Sequence, residues 1–221
     1  WSSTIKSLKF IPKEDDGVVI IGKLNFWESQ ARISVQVFDI RASISTVLKK
    51  FEIVKSKLAE DGLIDDLLRR KLPKYPHSIG ILTSVPSSAL ADMLRTAKER
   101  WPLTKLYVIP IPVQGNHENE VKSILRKLKI NQLKLNALVI ARGGGSREDL
   151  MLFDSEIIAR EIALCPIPVI TGIGHEDDLT VSDLVSDHRA ATPTAAIVDL
   201  LPSRNIEKTN FYQNKKMLQY Y

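Results

Sequence analysis

The sequence predicts an α/β protein with a three-layer core around a mainly parallel sheet, preceded by a β-hairpin and a linker helix. Two observations lead to this prediction. After Pro76, short apolar runs alternate with amphipathic helical segments, which is typical of a parallel sheet whose faces are covered by helices. Before Pro76 the pattern shows two β-rich runs and then one helix. We therefore divide the chain into a β-rich end, a helical linker, an α/β domain and the start of a further helical region, with boundaries at 1–42, 43–76, 77–202 and 203–221.

The β-rich end is predicted to be a hairpin. Its strands are Val18–Phe26 and Arg32–Ile40, and the turn between them lies at Glu28–Gln30. The second strand alternates in the way that a half-buried strand does, with apolar side chains at Ile33, Val35 and Val37. Two strands alone are marginally stable in water. We therefore expect the hairpin either to pack on the core or to be the remnant of a small β-barrel.

The linker is predicted to be a single helix that ends at Gly62, a typical C-cap residue. Its apolar residues recur at helical spacing, at Val47, Leu48, Phe51, Val54 and Leu58.

The α/β domain is predicted from four apolar runs and the helical segments between them. The predicted strands are His77–Thr83, Lys105–Ile111, Leu135–Ala141 and Ile167–Gly172. The predicted helices are Ser87–Arg100, His117–Lys129 and Arg147–Leu164, and another begins near Pro193. In parallel sheets ligands bind beyond the carboxyl ends of the strands. The residues that follow each strand are therefore the candidates for function.

Composition and length fit a globular protein with one main core. The chain has 221 residues, 44% apolar and 26% charged, which excludes a disordered or fibrous protein. Apolar runs are far shorter than the ~18 residues that cross a bilayer, and no signal-peptide pattern is present, so we expect no membrane partner. The single cysteine, Cys165, is typical of a reducing compartment and predicts a cytoplasmic protein. Because the first residue is Trp1, we expect a segment of a longer protein.

The net charge of +5 lies outside the α/β domain. The segments 1–76 and 203–221 carry net charges of +4 and +3, whereas 77–202 carries −2. This distribution suits a catalytic core whose flanking arms bind a polyanion. Ordinary solvated lysines explain the charge equally well.

The first predicted strand is followed by hydroxyl groups that are suited to phosphate binding. Thr83 and Ser84 stand at its end, immediately before a helix, and helix N-termini bind anions. A simpler interpretation is that Ser84 or Ser87 caps the helix, with Asp92 as a surface carboxylate.

The third predicted strand is followed by Arg142 and three glycines, which we call the glycine loop (Gly143–Gly145). Glycines let backbone N–H groups approach a ligand closely, which favours a phosphate site that includes Ser146. Ser146 and Asp149 have the spacing of a capping box. The spacing is neither the Walker nor the dinucleotide fingerprint. A tight strand-to-helix turn is the structural alternative, although it leaves Arg142 unexplained.

The fourth predicted strand is followed by His175, which stands between a Gly-X-Gly turn and three carboxylates, Glu176, Asp177 and Asp178. Neighbouring carboxylates raise the proton affinity of an imidazole, so this is a candidate acid–base centre. A structural histidine beside a solvated acidic turn, or a divalent-ion site, are the alternatives. Further on, Thr192 caps a helix whose N-terminus we expect to face the same site, and Arg189 is a candidate for substrate contact.

The motifs at the strand ends resemble those of the bacterial exodeoxyribonuclease VII large-subunit family. The matching strings are TSVPSSALADML, VIARGGGSREDLMLFDSE and PVITGIGHEDDLTVSDLVSDHRAATPTAA. The resemblance covers about residues 17–202, and the hairpin and linker helix resemble the end of the family's N-terminal OB-fold and its linker. The family's first motif usually reads Thr-Ser-Pro-Thr-Gly-Ala, whereas Val85-Pro86-Ser87-Ser88 fill its last four positions here.

The resemblance implies a nuclease centre at Asp92, Arg142, His175 and Asp178. It implies hydrolysis of single-stranded DNA from both ends into acid-soluble oligonucleotides with 5′-phosphates, without an obligatory metal, although Mg²⁺ is possible. It also implies two binding partners, single-stranded DNA and a small subunit, the latter through the family's C-terminal helical region, of which we expect this sequence to hold only the start.

Two other functions stay open at this point. One is a non-catalytic module that binds single-stranded nucleic acid through the hairpin and the basic arms. The other is a nucleotide or sugar-phosphate kinase, which the glycine loop permits but which lacks the Walker lysine, because Ser146-Arg147 follows the glycines.

Overall fold

The computed structural model describes residues 12–129 and 133–218 and contains two sheets. The strands are β1 (Val18–Trp27), β2 (Arg32–Ala42), β3 (Ser78–Thr83), β4 (Lys105–Pro110), β5 (Ala137–Arg142), β6 (Val169–Ile173) and β7 (His188–Arg189). The helices are α1 (Ile44–Glu60), α2 (Ser88–Arg100), α3 (Glu118–Lys129), α4 (Glu156–Ala163), α5 (Val181–Val185), α6 (Pro193–Leu200) and α7 (Arg204–Leu218). Short 3-10 helices lie at Glu28–Gln30, Asp66–Leu68 and Arg147–Asp154.

The main sheet is parallel throughout and has the strand order β4-β3-β5-β6-β7. Every residue of β3, β5 and β6 is buried, as expected for strands that are covered on both faces. One face packs against α3, α4 and the Arg147–Asp154 helix, and the other packs against α2 and α6. The predicted three-layer α/β core is confirmed.

The helix beginnings on one face of this sheet follow ordinary capping chemistry. The side chain of Ser87 accepts a hydrogen bond of 3.2 Å from Leu90 N at the start of α2. Thr192 does the same for α6, accepting from Ala195 N at 3.1 Å, with Pro193 in the first turn. Both helices begin at the carboxyl edge of the sheet, where the candidate residues lie, because α2 follows the end of β3 and Thr192 lies against Gly172 of β6.

A fifth strand, β7, was not among the predicted strands. It is only two residues long, so it shows no periodicity that a sequence could reveal. It is held beside β6 because Asp187 N donates to Val169 O at 2.9 Å and Ala190 N donates to Thr171 O at 2.8 Å. The Asp187 carboxylate accepts two further backbone bonds, from Arg70 N at 2.6 Å and from Val169 N at 2.7 Å, and so ties the linker to this edge.

The predicted single helix Arg147–Leu164 is wrong. A 3-10 helix covers Arg147–Asp154, and α4 begins only at Glu156. Ser155 between them is extended, with φ −69° and ψ 124°. The break arises because Asp154 is committed to tertiary contacts, accepting from Val181 N at 3.0 Å and lying 2.6 Å from Arg147 Nη1.

The predicted hairpin is confirmed, with a register shift between Ile21 and Gly22. The expected half-burial of the second strand is wrong at two positions, because Ile33 and Val35 are 67% and 49% exposed. The base of the hairpin is joined to α1, since Ser43 N donates to Gly17 O at 2.8 Å.

The linker helix is also confirmed, as α1, and it buries Phe51 and Leu58. In the described part of the chain, no helix is both long enough and apolar enough to span a membrane.

Candidate active site

Two of the motifs meet because their strands are direct neighbours. Arg142 is the last residue of β5 and pairs with Ile173, the last residue of β6. The pairing continues past the strands, since Gly174 N donates to Arg142 O at 3.0 Å. The glycine loop and the segment Gly174–Leu179, which we call the histidine loop, therefore leave the sheet side by side.

The imidazole of His175 lies directly against the backbone of Gly144. A Cβ atom at position 144 would be 2.0 Å from His175 Cε1 and 2.7 Å from Nε2. Only glycine allows this approach, because real Cβ contacts are almost never shorter than 3.0 Å. The imidazole is otherwise accessible, with 68% of the side chain exposed. The ring is thus placed on the glycine loop while remaining open to a substrate.

Asp178 organises the turn that presents His175. Its Oδ2 accepts from His175 N at 2.9 Å, and Asp178 N donates to His175 O at 3.0 Å. The same Oδ2 lies 3.6 Å from His175 Nδ1, which is near but longer than a hydrogen bond. Gly174 has a φ of +69°, which lets the chain turn tightly against this carboxylate. The carboxylate thus fixes the backbone on which the imidazole is carried.

Arg142 places its guanidinium inside the glycine loop. The residue is 8% exposed, its Nη1 donates to Gly143 O at 2.9 Å, and its Nη2 is 3.5 Å from Asp149 Oδ2. A Cβ at Gly145 would be 2.1 Å from Nη1, so the guanidinium could not keep this position beside any other residue. Two of the three glycines therefore make room for two of the four side chains predicted to be catalytic.

The structure does not bring Asp92 into contact with this pair. Asp92 is half-buried on α2 and forms an ion pair with Arg95, three residues further along the helix. The link to the site is indirect, because a Cβ at Gly143 would be 3.7 Å from the Cβ of Ala89 in the first turn of α2.

The hydroxyl groups predicted to bind phosphate have different surroundings. Thr83 is 1% exposed, and its Oγ1 has no hydrogen-bond partner among the described residues. Ser84 is half-buried, and Ser87 is the residue that caps α2. Thr192 brings the start of α6 against β6, since a Cβ at Gly172 would be 2.7 Å from Thr192 O.

The predicted capping box at Ser146 and Asp149 is wrong. The Ser146 side chain makes no cap hydrogen bond, and only its carbonyl accepts from Asp149 N, at 3.0 Å. The reason is that the Asp149 carboxylate is near the Arg142 guanidinium instead.

Two arginines hold the histidine loop by donating to its main-chain carbonyls, a role that the sequence did not predict. Arg189 Nη2 donates to Glu176 O at 2.6 Å and to Asp178 O at 3.0 Å. Arg147 Nη2 donates to Leu179 O at 3.2 Å. These bonds end on main-chain carbonyls of another loop, and no sequence pattern indicates such an acceptor.

A buried polar cluster underlies the far end of the histidine loop. Thr180 and Asp183 form a capping box, in which Asp183 N donates to Thr180 Oγ1 at 3.3 Å and Thr180 N donates to Asp183 Oδ2 at 2.8 Å. Burial raises the pKa of Asp183, and hydrogen bonds from Thr171 and Thr180 act in the opposite direction. In the described ranges, no three or more His, Cys, Asp and Glu side chains are grouped so that they could hold a metal ion.

Comparisons with known proteins match one family. The sequence model described as "Exonuclease VII, large subunit" matches residues 63–220. Curated relatives named "Exodeoxyribonuclease 7 large subunit" include those of Parasynechococcus marenigrum strain WH8102, 56% identical over 99% of this chain, and Synechococcus sp. strain CC9605, 57% identical over 99%. The relative from Campylobacter hominis is 41% identical over 93%.

The chain spans only part of these relatives, namely 57% of the length of the first two and 53% of the third. The shared names support the nuclease interpretation and not the kinase or the non-catalytic alternative.

Proposed function

Because the chain belongs to the exonuclease VII large-subunit family, we propose that it hydrolyses phosphodiester bonds of single-stranded DNA at the edge formed by the glycine and histidine loops. The observation that carries the proposal is the His175 imidazole lying on Gly144, with the Arg142 guanidinium in the same loop. An acid–base group and a fixed cation for a phosphate are thereby placed side by side.

The proposed reaction is the attack of water on phosphorus with cleavage of the bond to the 3′ oxygen. The water oxygen stays on the new 5′-phosphate, and a proton reaches the 3′ oxygen that leaves. His175 transfers a proton in this step, either taking it from the water or giving it to the leaving oxygen. Arg142 stabilises the charge that develops on the phosphoryl oxygens.

The remaining residues have supporting roles in this proposal. Asp178 orients the turn that carries the imidazole, and Asp92 is a second carboxylate for proton transfer or for a cation. Backbone N–H groups of the glycine loop and hydroxyl groups at the strand ends position the phosphate. The proposed phosphate-binding residues are Thr83, Ser84, Gly143, Gly144, Gly145, Ser146 and Thr192.

We propose hydrolysis without an obligatory metal. We also propose that DNA is cut from both ends, that a small subunit binds through the C-terminal helical region, and that the protein works in the cytoplasm. The unbridged Cys165, which is buried, supports a reducing compartment.

The test is incubation of the chain with single-stranded DNA labelled at either end, with and without a chelator. We expect short oligonucleotides from both labels, and a phosphatase should remove a 5′-phosphate from the new ends. Salt-dependent DNA binding with no cleavage product under any condition would contradict the proposal. Products that form only when Mg²⁺ is added would leave the nuclease assignment intact and refute metal independence.

A further inference from the structure

We propose that Arg189 is a positioning residue that holds the histidine loop in its working geometry, and that it is not a ligand of the DNA phosphate. This inference rests on the proposed function, because it concerns the same site. An arginine close to a phosphate-binding edge is usually interpreted as a phosphate ligand, and the sequence alone indicates Arg189 as a candidate for substrate contact. The contacts of its guanidinium favour a different role.

One nitrogen of the Arg189 guanidinium, Nη2, is already bonded to the protein. This nitrogen donates to Glu176 O at 2.6 Å and to Asp178 O at 3.0 Å. Both acceptors are main-chain carbonyls on either side of the loop's acidic tip, and the side chain is half-buried. If this nitrogen bound a phosphate, both carbonyls would lose their bonds to it.

Arg189 is fixed at its backbone, so it can act as an anchor. It lies in β7 and pairs with Thr171 of β6, and the next residue, Ala190, donates its N–H to Thr171 O at 2.8 Å. The arginine therefore connects the loop that carries the exposed histidine to the parallel sheet.

The loop needs such an anchor between its two ends. At the start, Gly174 N is bound to Arg142 O, and at the end Leu179 O is bound by Arg147. Between these points the loop makes its own turn through Asp178 and His175, at 2.9 Å and 3.0 Å. Arg189 joins that turn to β7, so loss of Arg189 is expected to leave the turn free to move and to shift the imidazole away from Gly144.

The test compares Arg189→Ala and Arg189→Lys with a matched control, Arg100→Ala. Arg100 also donates to a main-chain carbonyl, Leu201 O at 2.8 Å, but it lies at the far end of α2, away from the site. Each alanine variant removes one positive charge, and with it the arginine–carbonyl hydrogen bonds, of which Arg189 makes two and Arg100 makes one. The measurements are the cleavage rate at saturating single-stranded DNA, the salt dependence of DNA affinity, and amide hydrogen exchange at Gly174 and Asp178.

A positioning role predicts a specific set of changes. Arg189→Ala should lower the saturated cleavage rate about 10²-fold, as expected when a reacting group is misplaced by about 1 Å. Exchange at Gly174 and Asp178 should become faster, and the salt dependence of DNA affinity should be unchanged. Arg100→Ala should change none of the three.

A phosphate ligand would behave differently and would overturn the proposal. DNA affinity would fall, the slope of log affinity against log salt would become shallower by about 0.7, and exchange would stay at the parent value. Arg189→Lys separates the roles if the alanine variant is unfolded. A ligand role predicts parent-like binding and cleavage for lysine, whereas positioning predicts slower cleavage with parent-like binding.

The exchange measurement keeps this inference separate from the proposed function. If the parent chain does not cleave DNA, the proposed nuclease activity of this chain fails by itself. Faster exchange in Arg189→Ala but not in Arg100→Ala would then still support the anchor, and equal exchange in parent and variant would overturn it.

Discussion

Replacing Gly144 with alanine is predicted to disable cleavage while leaving the fold intact. The new Cβ would lie 2.0 Å from His175 Cε1, 2.7 Å from Nε2 and 3.0 Å from Nδ1. Ordinary van der Waals contact begins at 3.4 Å, so the ring must move by more than about 1 Å. The ring is free to do so, because 68% of the side chain is exposed. The backbone conformation itself is no obstacle, since Gly144 is not among the glycines with positive φ.

The expected size of the effect follows from this displacement. Misplacing a reacting group by about 1 Å costs about 10²-fold in rate, which corresponds to about 2.7 kcal/mol of transition-state stabilisation. Stability should change by no more than about 0.5 kcal/mol, because the moved side chain is largely exposed. Single-turnover cleavage of a labelled oligonucleotide measures the first quantity, and thermal unfolding measures the second.

A double variant tests whether alanine at position 144 acts through the imidazole of His175. If alanine at 144 acts only by displacing the imidazole, adding Gly144→Ala to His175→Ala should cause no further loss of rate. Gly143→Ala is the steric control, because the nearest atom to its Cβ would be 3.7 Å away, and it should leave the imidazole resonances of His175 unchanged in an NMR spectrum. Parent-like cleavage and unshifted His175 resonances in Gly144→Ala would show that the imidazole is not displaced. A further large loss of cleavage rate in the double variant would show that alanine at 144 acts in another way.

Two buried carboxylates lead to pH predictions of opposite sign, both measurable by unfolding at pH 7 and at pH 3. Burial acts to raise the pKa of Glu161, but hydrogen bonds from Lys129 and Arg126 outweigh it and the pKa is lowered. This stabilisation is present above the unfolded-state value near 4.5 and is lost as the pH falls through the folded-state value, so Glu161→Gln should cost about 1 kcal/mol at pH 7 and less at pH 3. Burial raises the pKa of Asp154, so its ionisation destabilises the fold as the pH rises from about 3.8. Asp154→Asn, which cannot ionise, should therefore lose less stability than the parent between pH 3 and pH 7. An unchanged difference between the two pH values would contradict either prediction.

The fold could be predicted from the sequence where the residues of a single strand or helix show a characteristic hydrophobic pattern. Apolar runs such as Leu138–Ala141 are buried on both faces, and the uninterrupted apolar composition of the strand predicts that burial. The strand β7 and the break before α4 depend instead on contacts between distant parts of the chain, namely Asp187 with Val169 and Asp154 with Val181. Hydrophobic periodicity carries no information about such contacts.

The sequence predicted which residues form the centre of the site but not how they are arranged. Strand-end position and the family resemblance indicated His175 and Arg142, because parallel strands bring their carboxyl ends together. They did not indicate that the glycines at 144 and 145 leave the space that those two side chains occupy. The role of Arg189 was equally hidden, since its acceptors are backbone carbonyls that every residue possesses.

The most direct test of the account is the cleavage rate of His175→Ala compared with that of His77→Ala at saturating single-stranded DNA. His77 is an exposed histidine just before β3, at the opposite edge of the sheet, and so controls for the loss of an imidazole. If His175 is the acid–base group, His175→Ala should cleave about 10²–10⁴-fold more slowly than the parent, the usual cost of losing such a group, and His77→Ala should match the parent. Near-parent cleavage by His175→Ala would contradict the assignment of the active site.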